Sequence, residues 1–228
     1  MSMPFYVAPE QMMKDRADYA RKGIARGRAL IGAVYETGIL LCAENPSRSL
    51  HKVSEIYDRI AFAGVGKYNE FDQLRVAGIR HADTKGFAYA RDDVDARSLA
   101  NLYAQYLGQV FTHEVKPLEV EILVAELGAV GKEAQLFHIL YDGTVVDEQK
   151  FAVIGGDSDT ISERFEGSYR EVRGLQETLQ ACVAALGEEE RPLVYQDLEV
   201  AVLEDRGERR TFRRIAGSEL QNLLGDVD

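Results

Sequence analysis

The sequence predicts an α+β protein that forms a four-layer α-β-β-α sandwich, with two antiparallel sheets covered by helices. The first observation is the order of periodic segments: helix, strands, two helices, strands, two helices, strands. Blocks of strands separated by helix pairs suit two packed sheets, whereas a doubly wound parallel sheet alternates single strands and helices. The second observation is size, because 228 residues, of which 46% are hydrophobic, can bury a large core.

The chain opens with a short segment that has no clear period, and a charged helix follows it. Pro9 suits the first position of this helix, where its missing N–H costs nothing. Gly27 is a signal for the end of the helix. Because the apolar stripe is narrow, we predict that the helix packs partly on a neighbouring molecule. The stripe consists of Met13, Ala17, Ala20 and Ile24.

The first half of the chain continues with apolar strands and amphipathic helices. A turn at residues 36–38 joins the first two strands into a hairpin, and residues 45–47 then interrupt the pattern. The helix that opens at Asp92 and Asp93 has an apolar stripe wide enough to lie flat on a sheet. The predicted strands are residues 29–35, 39–43 and 60–63, and the predicted helices are residues 68–79 and 92–111.

The second half repeats this arrangement without an internal repeat or a low-complexity linker. The dipeptide Asp142-Gly143 is a strong signal for a hairpin with a type I′ turn. The acidic residues 187–190 are interpreted as a connection, so we predict one domain over residues 9–228. The predicted strands are residues 118–127, 135–141, 144–146, 151–154, 198–203 and 211–215, and the predicted helices are residues 159–169, 175–186 and 218–224.

Composition restricts the class of function. The net charge of −11 argues against nucleic-acid binding, which requires a basic surface. No apolar run approaches the roughly 20 residues that cross a bilayer, and no secretory signal is recognisable. We therefore expect a cytoplasmic protein with no membrane partner. Cys42 and Cys182 lie among apolar neighbours and are expected to be free, buried thiols.

The common motifs of enzymes and metal sites are incomplete. Residues 64–67 resemble a phosphate-binding loop, but Tyr68 stands where that motif needs a serine or threonine to bind Mg²⁺. A strand-to-helix turn is therefore the better interpretation. His113-Glu114 begins like a zinc-protease helix, but Pro117 takes the place of the second histidine. The other histidines are scattered, and no Gly-x-Ser-x-Gly elbow exists. No metal, cofactor or catalytic residue is predicted.

A more specific signal lies between residues 18 and 67, which resemble the α subunits of the 20S proteasome. The resemblance covers the end of the first helix, the first strand pair and the segment after it, and it continues more weakly to about residue 217. The opening and the 21–26 segment are similar to the bacterial, actinobacterial-type subunit. The archaeal and eukaryotic Tyr-Asp-Arg leader and Pro-x-Gly-Arg turn are missing. The matching residues are 9–11, 19–21, 23–24, 27, 38–41, 47–49, 52–53 and 57–58.

This resemblance implies an N-terminal nucleophile hydrolase-like fold with a structural role. Family α subunits form heptameric rings outside two catalytic β rings, admit unfolded protein substrates, and dock an AAA ATPase ring or an ATP-independent ring activator. In the β subunits the active threonine begins the first strand. Here a helix precedes the comparable strand, which begins near Arg28, so a free amino terminus cannot form there without loss of the helix. We expect a non-catalytic subunit without a cofactor.

Two sites follow from the resemblance. Lys52 matches the family lysine that receives the C-terminal carboxylate of an activator tail between adjacent α subunits, a suitable charge-assisted hydrogen bond. Gly27 and Gly66 are expected to line that groove. Without the resemblance, Lys52 would be an ordinary surface lysine and the N-terminus a frayed end. The expected pore gate, an apolar plug of seven copies, consists of Met1, Ser2, Met3, Pro4, Phe5, Tyr6, Val7 and Ala8.

Two other functions remain open from the sequence. A catalytic, self-compartmentalising threonine protease subunit of the β type would need processing that exposes an internal threonine, and Thr37 and Thr84 are poor candidates because neither starts a predicted strand. Intact mass would reveal such processing. A stand-alone binding module would keep a native mass near 25 kDa, whereas a ring subunit assembles with its β partner.

Overall fold

A computed structural model describes residues 8–128, 133–169, 174–188 and 191–225 of the chain. These residues form two five-stranded antiparallel sheets with helices on both outer faces, which confirms the predicted four-layer α-β-β-α sandwich. The helices are α1 (Pro9–Ala25), α2 (Tyr68–Ala88), α3 (Ala96–His113), α4 (Ser158–Ser168), α5 (Leu175–Leu186) and α6 (Gly217–Leu224). The strands are β1 (Leu30–Tyr35), β2 (Gly38–Glu44), β3 (Val53–Tyr57), β4 (Ile60–Gly66), β5 (Val120–Glu126), β6 (Gln135–Ile139), β7 (Val145–Glu148), β8 (Phe151–Ile154), β9 (Leu198–Glu204) and β10 (Phe212–Ile215).

The two sheets have simple strand orders. Sheet A runs β10-β9-β2-β1-β8, and sheet B runs β3-β4-β5-β6-β7. Strand β1 pairs with β2 over its whole length, from Leu30 opposite Ala43 to Tyr35 opposite Gly38, and its other edge pairs with β8. Loss of β1 would therefore split sheet A.

The core has three apolar layers because successive strand residues face opposite sides of each sheet. In β2, Leu40 and Cys42 pack against α4 and α5, whereas Leu41 and Ala43 pack between the sheets. A third layer lies between sheet B and helices α2 and α3. Cys42 and Cys182 are both free and buried, as predicted.

Helix α1 closes one end of the sandwich. Its C-terminal half buries Ala20 and Ile24 in the layer between the sheets, whereas its N-terminal half is exposed. The helix begins at Pro9, in agreement with the sequence prediction. Across the four described ranges, no helix combines the length and the apolar composition of a membrane span.

Three local predictions were incomplete. Helix α2 extends beyond residue 79 to Ala88. Gly78 and Gly86 let its last turns pack closely against tyrosine rings, and the apolar periodicity used for the prediction does not detect such glycine contacts. Helix α3 starts at Ala96 rather than Asp92, because Asp95 caps it by accepting a hydrogen bond from Ser98 N at 2.8 Å. Strand β3, an edge strand of sheet B, was not predicted.

The hairpin between β6 and β7 is present, but the predicted type I′ turn is wrong. A type I′ turn requires positive φ at both central residues. Gly143 has φ +87°, whereas no residue other than glycine in the described ranges has positive φ. The turn closes with a hydrogen bond from Gly143 N to Leu140 O at 3.0 Å. Asp142 instead accepts a hydrogen bond from Thr144 N at 2.9 Å.

Candidate functional site

Lys52 lies in the loop between β2 and β3, at the end of the sandwich where β1 and β9 begin. Its side chain is half-buried, and Nζ donates a hydrogen bond to the backbone carbonyl of Arg28 at 2.6 Å. Because Arg28 directly follows Gly27, this contact joins the lysine to the junction between α1 and β1.

Gly27 and Gly66 lie next to each other at the same end. A Cβ atom on Gly27 would stand 3.4 Å from Gly66 N, so the two backbones pass closely. Gly66 has φ +100°, and a Cβ atom there would stand 1.9 Å from Glu119 O, so only glycine fits. Lys52 O accepts a hydrogen bond from Gly64 N at 3.0 Å. The fold thus brings the three predicted docking residues together; their contact with an activator stays a prediction.

The electrostatic environment of Lys52 is mixed. Burial disfavours the charged ammonium and lowers the pKa of Lys52 to about 8. The carboxylates of Glu44 and Glu199 oppose this effect, and the nearby Arg28 guanidinium adds to it. The ammonium form therefore predominates at neutral pH and is lost at mildly alkaline pH.

The sequence analysis did not identify the two carboxylates beside this lysine. Glu44, at the end of β2, is buried and accepts charge-assisted hydrogen bonds from Arg28 and, at 2.7 Å, from Arg191. Glu199 lies in β9 and accepts a hydrogen bond from Lys52 N at 2.8 Å. In the sequence, each of these glutamates is only an acidic residue in or next to an apolar strand. The alternating pattern of a strand predicts that such a residue faces solvent.

The predicted gate falls almost entirely outside the described residues. Met1–Val7 are not among them, so no structural statement applies to that part of the gate. Ala8 is exposed and precedes α1, and its carbonyl accepts a hydrogen bond from Met12 N at 3.0 Å.

The threonines considered as nucleophiles lie in unsuitable places. Thr37 is in the turn between β1 and β2, and Thr84 is near the C-terminal end of α2. Cleavage before Thr37 would remove β1 from the interior of sheet A, and cleavage before Thr84 would remove four strands. The first strand, β1, begins at Leu30, and Arg28 lies two residues before it. In the part of the chain that the structure describes, no cluster of His, Cys, Asp or Glu suits a metal ion.

Comparisons with known proteins agree with this architecture. The family model for the proteasome subunit matches residues 24–203. The chain is 73% identical to "Proteasome subunit alpha" of Acidimicrobium ferrooxidans over 226 residues, covering 99% of this chain and 97% of the relative. It is 56% identical to the protein of the same name from Sanguibacter keddieii, covering 98% and 90% of the two chains. The corresponding protein of Kineococcus radiotolerans is 53% identical, with 98% of each chain covered.

The match to the family model spans most of the chain, and the relatives align over nearly their full lengths. The chain therefore belongs to the proteasome subunit family and, within it, to the α subunits of the bacterial, actinobacterial type.

Proposed function

We propose that the chain is a non-catalytic subunit of the heptameric outer rings of a 20S-type proteasome core in the cytoplasm. In this proposal residues 1–8 gate the entry of unfolded proteins, and residues 9–228 form the domain that contacts neighbouring α subunits and the β rings. The subunit also docks the C-terminal tails of a ring activator, an AAA ATPase or an ATP-independent ring.

The arrangement around Lys52 is the single observation that best supports a docking role. The ammonium group is half-buried and bonds to the carbonyl of Arg28, which follows Gly27, and the backbones of Gly27 and Gly66 pass closely at the same end. A carboxylate that ends an activator tail can accept a charge-assisted hydrogen bond from Nζ. That bond replaces the one to the Arg28 carbonyl, a neutral and therefore weaker acceptor.

The absence of catalysis is supported by the junction between α1 and β1. Ala20 and Ile24 are buried between the sheets, so α1 is integral to the core and not a removable leader. Cleavage after Gly27 would remove this packing, and it would expose the amine of Arg28 rather than that of a threonine. Purified chain without β subunits is expected to hydrolyse no peptide, and activity traced to one of its threonines would favour the β-type alternative.

The test of docking replaces Lys52 with alanine in particles assembled with the cognate β chain. Activator-stimulated protein degradation should fall by tenfold or more, because a buried charge-assisted contact contributes about 1.5–3 kcal/mol. Peptide hydrolysis without activator should not change. Lys150→Ala, at an exposed turn before β8, is the matched control. If Lys52→Ala particles respond fully to the activator, the docking assignment is wrong.

A further inference from the structure

The buried carboxylate of Glu199 accepts hydrogen bonds from the loop that carries Lys52. The residue is 8% exposed and lies on β9, 147 residues from Lys52 in the sequence. Its Oε2 accepts hydrogen bonds from Lys52 N at 2.8 Å and from Asn45 Nδ2 at 2.7 Å. Its Oε1 accepts one from Val53 N at 3.2 Å, and His51 Nδ1 lies 3.2 Å from the same oxygen.

The loop from Asn45 to Lys52 is tied at both ends to this one carboxylate. Asn45 also binds the loop internally, because Nδ2 donates to Leu50 O at 2.7 Å and Oδ1 accepts from Ser47 N at 3.1 Å. Ser47 Oγ accepts a hydrogen bond from Leu50 N at 3.1 Å. Movement of Glu199 would therefore move the backbone of Lys52.

Arg214, on the neighbouring strand β10, also binds Glu199. Its NH1 donates to Glu199 Oε1 at 2.7 Å, and its NH2 donates to Val53 O at 2.6 Å. A buried carboxylate is costly unless it is paired and hydrogen-bonded, and here several donors satisfy it. An apolar side chain would fill the same space without the desolvation cost of a buried charge, but it could not accept hydrogen bonds from the loop.

The charge of Glu199 also acts on the lysine directly. The carboxylates of Glu199 and Glu44 favour the ammonium form of Lys52, against burial and the Arg28 guanidinium. Other side chains contact the two carboxylates. Arg214 and His51 contact Glu199, and Arg191 contacts Glu44.

We propose that Glu199 is a positioning residue for activator docking, which fixes the backbone of Lys52 and so directs its side chain at the tail carboxylate. This inference rests on the proposed docking function of Lys52. It adds a buried residue of strand β9, which acts on docking through Lys52 rather than by contact with the activator.

The test uses particles assembled with the β chain and two peptides with the last eight residues of the ATPase ring activator. One peptide ends in a free carboxylate, and the other ends in an amide. For Glu199→Gln we expect about tenfold weaker binding of the carboxylate peptide at pH 7. As pH rises, the midpoint of the loss of binding should lie at a lower pH in this variant than in the wild type. A role in folding alone would not move that pH midpoint.

Two further variants separate charge from geometry. Glu199→Asp keeps the charge but withdraws its oxygens from the loop, so binding should weaken with little change in the pH midpoint. Glu204→Gln is the matched control on the same strand β9, where the glutamate pairs with Arg206 and Arg213. It should bind both peptides as the wild type does.

The outcomes distinguish this inference from the docking proposal. If Lys52→Ala binds the carboxylate peptide as tightly as the wild type, the docking function itself fails. If Lys52→Ala loses binding while Glu199→Gln keeps the wild-type affinity and pH midpoint, only the role of Glu199 fails. If neither Glu199 variant assembles, the inference is also overturned, because the residue then holds the fold rather than the lysine.

Discussion

At the scale of single residues, the balance of charges around Lys52 determines the pH range in which it can bind a carboxylate. Burial lowers the pKa of Lys52 to about 8, even though Glu44 and Glu199 favour the charged form. A freely exposed lysine would keep its charge to about pH 10. The partly buried lysine is therefore expected to respond to mildly alkaline conditions.

The first prediction concerns this pH dependence. Because only the ammonium form attracts a carboxylate, binding of an activator tail should be full below pH 8 and fall as pH rises through 8. The loss should approach about tenfold per pH unit before it levels off, since binding and protonation are linked. Fluorescence anisotropy of a labelled tail peptide between pH 6.5 and 9.5 measures it.

Lys52→Arg provides the control, because a guanidinium stays charged throughout this range. Binding to that variant, although weaker if the longer side chain fits poorly, should not depend on pH. Constant wild-type affinity up to pH 9.5 would mean that Lys52 does not receive the carboxylate.

The second prediction concerns Gly66, which lies at the end of β4. Replacement by alanine forces a side chain into φ +100° and places its Cβ 1.9 Å from the backbone oxygen of Glu119. We expect a loss of about 2 kcal/mol or more in the free energy of unfolding. Gly167→Ala in α4 is the control: the new Cβ has open space, and the change should stabilise by at most about 1 kcal/mol. Urea denaturation of both variants measures these changes, and an unchanged stability of Gly66→Ala would mean that the backbone of Glu119 does not lie so close to Gly66.

At the scale of elements, α1 is fixed mainly through its C-terminal half. Glu119, just before β5, forms ion pairs with Lys67 and, at 3.1 Å, with Lys116. Burial alone would raise the pKa of Glu119, but hydrogen bonds from these two lysines outweigh it and hold the pKa below its ordinary value. The helix passes this cluster at Gly23, where a Cβ atom would stand 2.2 Å from Glu119 Oε1. The C-terminal half of α1 is thus fixed to sheet B.

The N-terminal half of α1 leads to the third prediction. Met12 in this half is 47% exposed, which agrees with the prediction that the helix packs partly on a neighbouring subunit. Met12→Glu should reduce ring assembly with β chains and leave more of the chain near 25 kDa in native mass spectrometry. The stability of the isolated chain should change by less than about 0.5 kcal/mol, because the side chain lies on the surface of the chain.

Val194→Glu is the control for this prediction, since that valine is 52% exposed and lies before β9, away from α1. Equal assembly of both variants with the wild type would show that the exposed half of α1 is not an interface.

At the scale of the whole molecule, sequence periodicity predicted most elements because both sheets bury alternate residues. The bounds of β8 and α5 agree with their predictions, 151–154 and 175–186. The edge strand β3 was missed because polar side chains at Ser54 and Glu55 interrupt its apolar pattern. Local patterns also could not show that Glu199 binds Lys52, since the contact spans 147 residues and depends on the order of strands in sheet A. Lys52, Gly27 and Gly66 were predicted only through a family resemblance.

The fourth prediction concerns the assembled particle and the proposed gate. Deletion of residues 2–8 should raise peptide hydrolysis several-fold, because the proposed apolar plug is removed while α1, which begins at Pro9, is retained. The deletion should also make peptide hydrolysis independent of the activator. Lys52→Ala, which should abolish stimulation in the full-length particle, should then have no effect when combined with the deletion. Unchanged hydrolysis after the deletion would refute the gate, whereas a persistent effect of Lys52→Ala would show that docking acts on something other than pore opening.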